Sequence, residues 1–176
     1  MPTDRRNSGF IGERPSTKCW RKATSMTDLE LTRALERGEV ASKDFHHASH
    51  LHVAWAYLGE SSSVRQAADK MRDTLRRFAV AAGKPEKYHE TITLFWVYLL
   101  SQAYAARCGG CLEEIVDAIP QLLEKNFPLA YYSARRLFSD EARTSWVEPD
   151  LKPLSIDAIA ICSSSSSSDA PNRSLS

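Results

Sequence analysis

Glycine is scarce, at seven of 176 residues, and no G-x-G-x-x-G or G-x-x-x-x-G-K-[ST] run occurs. The tight backbone turns that cradle a dinucleotide or a nucleotide phosphate are therefore missing. Excess charge of either sign is missing as well. With 23 basic and 22 acidic residues the formal charge is +1, without the basic excess by which a nucleic-acid binder neutralises phosphates. No apolar run reaches the roughly 20 residues of a bilayer span; the longest, Ile92 to Ala106, is broken by Thr93, Ser101 and Gln102. Residues 1–22 hold no signal-peptide core. These absences predict a cytoplasmic chain with neither a nucleic acid nor a membrane as partner. Cys19, Cys108, Cys111 and Cys162 are expected as thiols rather than disulfides. Alternating strand patterns and internal repeats are absent too.

What is present is an ordinary globular balance, 43% hydrophobic and 26% charged, enough for one domain with a buried core. Residues 1–25 mix Pro, Gly, Ser and basic residues without periodicity, and Ser163 to Ser168 is a serine homopolymer. Neither segment offers the apolar area that offsets ordering entropy. The sequence thus predicts a flexible arm over 1–25, a single folded domain over 26–158 and a disordered tail over 159–176.

Within the domain the pattern is helical. Gly38, Gly59, Gly83, Gly109 and Gly110 each follow a stretch of helical period, where a left-handed C-cap residue is wanted. Thr27-x-x-Glu30 and Ser63-x-x-Gln66 read as capping boxes. Ser42 is expected to cap a helix running to about Leu58. Pro85 precedes a helix from about Glu86 to Arg107, and Pro120 kinks or restarts the helix after Cys111. Two shorter helical pieces and an extended EPDLKPL segment follow. The predicted fold is an all-α bundle of five to seven helices.

Five histidines are present, and their placement matters. At 100° per residue, His47 falls in the middle of the apolar arc formed by Leu51, Ala54 and Leu58, and His50 lies beside it. Side chains at i and i+3 start about 5–6 Å apart, close enough to share a metal ion. His46 is the rival ligand, and His52 falls on the far face. On a later helix His89 shares a stripe with Ile92, Trp96 and Leu100, and Glu90 stands at the helix mouth. A carboxylate there is costly unless paired or metal-bound. It is a fourth ligand, a general base, or an acid favoured by the helix dipole. Three imidazoles directed into one bundle predict a metal centre at His47, His50 and His89. Zinc suits that donor set and keeps a position for water or substrate, although iron or copper use similar ligands. A dicopper centre with three histidines per ion would need six. Cys108-Gly-Gly-Cys111 lacks a second C-x-x-C and is expected as a turn between helices.

Four segments carry a resemblance. They are Phe45-x-His47-x-x-His50-Leu51 with Ala54-Trp55; Tyr88-His89-Glu90-Thr91-x-Thr93-Leu94-Phe95-Trp96; Tyr132-Ser133 with Leu137-x-Ser139; and Trp146-Val147-x-Pro149-Asp150-Leu151-x-Pro153-Leu154. Together, over about residues 28–154, they resemble a family of small helical proteins whose fungal branch is cyclopenase, zinc-dependent in quinolone alkaloid biosynthesis. The resemblance implies a lyase acting on a small aromatic alkaloid. In that branch a cyclopenin-type benzodiazepinedione epoxide contracts to a viridicatin-type 4-arylquinolone with loss of methyl isocyanate. It further implies one Zn2+ on His47, His50 and His89, with Glu90 as the catalytic acid or base. Trp55, Trp96 and Tyr131, with Tyr57, are expected to stack on the flat substrate.

Overall fold

A computed structural model describes residues 26–106 and 111–154. The predicted arm, the tail and most of the Cys108 to Cys111 turn lie outside the described residues. Seven α-helices and no strand occur among those described, as the all-α expectation requires. They are α1 (Asp28–Glu36), α2 (His47–Glu60), α3 (Val64–Ala81), α4 (Glu90–Ala106), α5 (Leu112–Ala118), α6 (Ala134–Leu137) and α7 (Asp140–Thr144). Single 3-10 turns cover Pro85–Lys87, Pro120–Leu123 and Phe127–Ala130.

Local signals set several of these boundaries. At the start of α1 the Thr27 N–H donates to Glu30 Oε2 (2.6 Å) and the Glu30 N–H returns to Thr27 Oγ1 (3.2 Å), a complete capping box. At α3 the Ser63 hydroxyl accepts from the Gln66 N–H, but the Gln66 side chain accepts from the Ser62 N–H, one residue early. Gly38 and Gly83 close α1 and α3 at φ 74° and 65°. In both, the paired bonds of a Schellman motif form: Glu39 N–H to Ala34 O and Gly38 N–H to Leu35 O, then Lys84 N–H to Ala79 O and Gly83 N–H to Val80 O.

Other boundaries differ from expectation. Ser42 does not cap α2, because the Asp44 N–H folds back onto Ala41 O in a turn; the helix starts at His47, where the His46 N–H donates to Ser49 Oγ. Gly59 lies inside α2 rather than after it. Pro85 opens a 3-10 turn, and α4 begins only at Glu90. Proline at 120 disfavours helical backbone at 119, so α5 ends at Ala118 and the chain restarts as a 3-10 turn.

The centre of the bundle is α4, which packs against α2, α3 and α7, while α2 also packs on α1 and α3. The run Leu94, Phe95, Trp96, Val97, Leu99 and Leu100 is buried on all sides, each large side chain contributing roughly 1.5–3 kcal/mol. The segment after α7 is then tied across α4. Thr91 Oγ1 donates to Ser145 O (2.7 Å) and accepts from the Val147 N–H (3.2 Å). Tyr132 Oη donates to Val147 O, Ser133 donates twice to the Asp150 carboxylate, and Gln102 Nε2 donates to Leu154 O.

Candidate functional site

The entrance to α2, the middle of α3 and the first turns of α4 enclose a cavity of about 440 Å³. His47 and His50 face it from α2, and His89 faces it from the residue before α4. Trp96, Tyr88, Phe45 and Phe78 supply aromatic walls, and Met71, Leu75, Ile92 and Thr93 complete the lining. Lys84, Lys87 and Lys125, all exposed, also line it, whereas no Asp or Glu does among the described residues. Backbone periodicity makes this convergence: His47 and His50 lie one turn apart on the inward arc of α2, and His89, Ile92, Thr93 and Trp96 share a face of α4.

Each of the three imidazoles is anchored through a ring N–H to a backbone carbonyl. His47 Nε2–H donates to Leu122 O (2.8 Å), His50 Nδ1–H to His46 O (3.0 Å) and His89 Nε2–H to Leu137 O (3.0 Å). The His47 ring lies 4.7 Å from Trp96 and the His50 ring 4.5 Å from Phe45, centre to centre. Burial pushes the His50 imidazolium down to about 4, with nearby His47 adding to the effect against its bond to His46 O. Burial also lowers His47 and His89, aided by Lys125 and Arg143 respectively and opposed by the carbonyl bonds. All three are neutral at neutral pH, the form that ligates a metal.

Their nitrogens are not equally available. His50 Nε2 and His47 Nδ1 carry no hydrogen bond among the described residues. His89 Nδ1 accepts from the Ile92 N–H (3.3 Å) and so caps α4, leaving both of its nitrogens engaged. Nor do ligand nitrogens of the three rings gather within 4.8 Å of one another. Among the described residues the one trio of metal-ligating groups that does so is Asp28, His52 and Glu113. His47 and His50 thus each keep one ring nitrogen open, whereas His89 reaches a shared ion only by exchanging one of its two hydrogen bonds and by moving closer to the other two. His46 sits exposed at the cavity edge.

Glu90 stands elsewhere. It is buried at the first residue of α4, outside the cavity lining. Its Oε1 accepts from Arg72 Nε (2.5 Å), and its Oε2 accepts from Arg76 Nη2 (2.8 Å) and Tyr88 Oη (2.6 Å). The cost foreseen for a carboxylate at this position is thus offset by two guanidiniums from α3. Of the expected stacking residues, Trp96 lines the cavity, but Trp55 and Tyr131 do not. Trp55 packs edge-on to Tyr104 in the core. Tyr131 packs against Phe95 and Phe127 beneath the Lys152 ammonium. Tyr57 is fully buried and hydrogen-bonds Thr74 and Glu36. Large rings serve core and wall alike, so helical spacing alone does not separate the two roles. Sequence reasoning passed over Tyr88, Phe45, Phe78 and Met71 as walls. The signal was present for the last two, since Met71, Leu75 and Phe78 repeat at i, i+4 and i+7.

The fold and site define an all-α protein with a cavity walled by neutral histidines and aromatic rings. Comparison with family models, with curated proteins and with solved structures gives no match.

Proposed function

We propose that this chain is a zinc-dependent lyase of the cyclopenase type, acting on a small aromatic alkaloid such as a cyclopenin-type benzodiazepinedione epoxide. The observation that carries the proposal is the convergence of both histidine motifs on one aromatic-walled cavity. His47, His50 and His89 are the residues proposed to hold the ion, which requires their rings to draw together and His89 to give up one of its two hydrogen bonds. Zinc bound there would supply a Lewis acid able to polarise an amide carbonyl or an epoxide oxygen. Phe45, Phe78, Tyr88 and Trp96 give the flat faces against which a bicyclic ring system stacks. The cavity volume falls within the 300–1,000 Å³ usual for small-molecule sites. Glu90, bonded to the hydroxyl of the lining residue Tyr88, is proposed to exchange protons with substrate through that hydroxyl.

A second reading is favoured by the three ring-to-carbonyl hydrogen bonds. In it the histidines only shape the cavity of a non-catalytic binding protein, and any metal is structural. One experiment separates the two. The full chain is assayed with cyclopenin for viridicatin formation, with and without chelator and zinc, alongside His50→Ala. The lyase reading expects zinc-restored turnover that His50→Ala abolishes. Turnover absent from the zinc-loaded chain, or indifferent to both chelator and His50→Ala, rejects it.

A further inference from the structure

We propose that Asp28, His52 and Glu113 form a divalent-cation site, separate from the histidine cavity, for a first-row ion such as zinc. The three side chains come from α1, α2 and α5, and one ligand atom of each lies within 4.8 Å of the others. His52 Nδ1 and Asp28 Oδ1 are 2.7 Å apart, and all three residues are partly buried. Ligands bonded to one ion at about 2.0–2.2 Å stand roughly 3–4.4 Å apart. The trio therefore needs only a small opening between Asp28 and His52, with Glu113 already alongside. One imidazole with two carboxylates is a borderline donor set that suits zinc, cobalt(II) or manganese(II).

Charge supplies an independent argument. Asp28 and Glu113 bring two carboxylates to one imidazole: Asp28 pairs with His52, Glu113 Oε2 accepts from the Cys111 thiol, and among the described residues neither carboxylate pairs with a lysine or arginine. A protonated His52 cancels one of the two; a divalent ion cancels both. The N-terminal dipoles of α1 and α5 favour one carboxylate each, but they do not account for the meeting of both acids on one imidazole. A second cavity, of about 310 Å³, adjoins two of the three ligands and is lined by His52, Glu113 and Asp117 between α2 and α5. Asp117 lies one turn beyond Glu113 on α5 and lines the same space, which has room for water to complete the shell of a bound ion. A bound ion joins α5 to α1 and α2.

The test titrates chelator-stripped full chain with Zn2+ by calorimetry, in wild type and in Asp28→Asn, Glu113→Gln and His50→Ala. The two carboxamide variants preserve shape, and circular dichroism confirms their helix content. The expected result is a binding event that persists in His50→Ala and weakens at least about tenfold in Asp28→Asn and in Glu113→Gln. No event in wild type, unchanged affinity in both carboxamide variants, or complete loss in His50→Ala overturns the assignment. Cyclopenin turnover, if found, follows His50 and not Glu113, so this site and the lyase reading fail independently.

Discussion

The Tyr88 hydroxyl donates to Glu90 Oε2 at 2.6 Å, so that an aromatic wall of the cavity and a buried carboxylate at the head of α4 are held as one unit. Arg76 completes it from α3, its guanidinium 5.1 Å above the Tyr88 ring while bonding the same oxygen. Glu90→Gln removes the charge that two guanidiniums address and is expected to lower stability by about 1–3 kcal/mol. Tyr88→Phe keeps the ring and loses a single bond, about 1 kcal/mol. Urea midpoints measure both, and a smaller loss for Glu90→Gln than for Tyr88→Phe contradicts the arrangement.

Acid should weaken the fold through His50. Its folded value near 4 lies below the unfolded value of about 6.5. As pH falls from about 6.5 towards 4 the unfolded chain takes the proton first, and stability declines; above that window the group has no effect. The shift corresponds to an effect on the order of 3 kcal/mol. His47 and His89 act in the same direction, whereas His52, raised by Asp28, contributes stability that disappears as pH rises through its folded value. Urea midpoints from pH 7 to 4 should show a shallower decline in His50→Gln than in wild type.

Thr91 holds the segment after α7 with one hydroxyl used twice. Thr91→Val keeps the volume and strands the Ser145 carbonyl and the Val147 amide, at an expected cost of about 1–3 kcal/mol. Amide exchange at Val147 should accelerate in Thr91→Val and return towards wild type in Thr91→Ser. Equal exchange in all three proteins means that the strap is held by other contacts.

Gly38 offers a test of backbone conformation with little else changed. A Cβ placed there meets nothing within 4 Å, so Gly38→Ala carries only the strain of φ 74°, about 1–2 kcal/mol. Gly38→Asn should lose less, because asparagine tolerates this region. Thermal midpoints in which alanine and asparagine are both neutral rule out the Schellman closure of α1.

Features with a local cause were legible in the sequence. The box at Thr27, the closures at Gly38 and Gly83, and the inward arc of His47 and His50 need only helical geometry and the nearest few residues. Features whose cause lies far along the chain were not. The burial cost of Glu90 could be read, but its answer, Arg72 and Arg76, sits 18 and 14 residues upstream on another helix. His52 reads as a solvent-facing residue of α2, yet Asp28 and Glu113 meet it on that face. Trp55 and Tyr131 show the same limit, because only tertiary packing decides whether a large ring fills a core or walls a cavity. The motif residues Thr91, Tyr132, Ser133 and Asp150 prove to be fasteners of the last described segment.

The lysines of the lining have a kinetic consequence. Because Lys84, Lys87 and Lys125 line the cavity and no carboxylate does among the described residues, the lining itself is expected to favour a negatively charged visitor. An aromatic acid arrives faster than an organic ammonium of equal shape, and the difference shrinks as added salt shortens the screening length below about 10 Å.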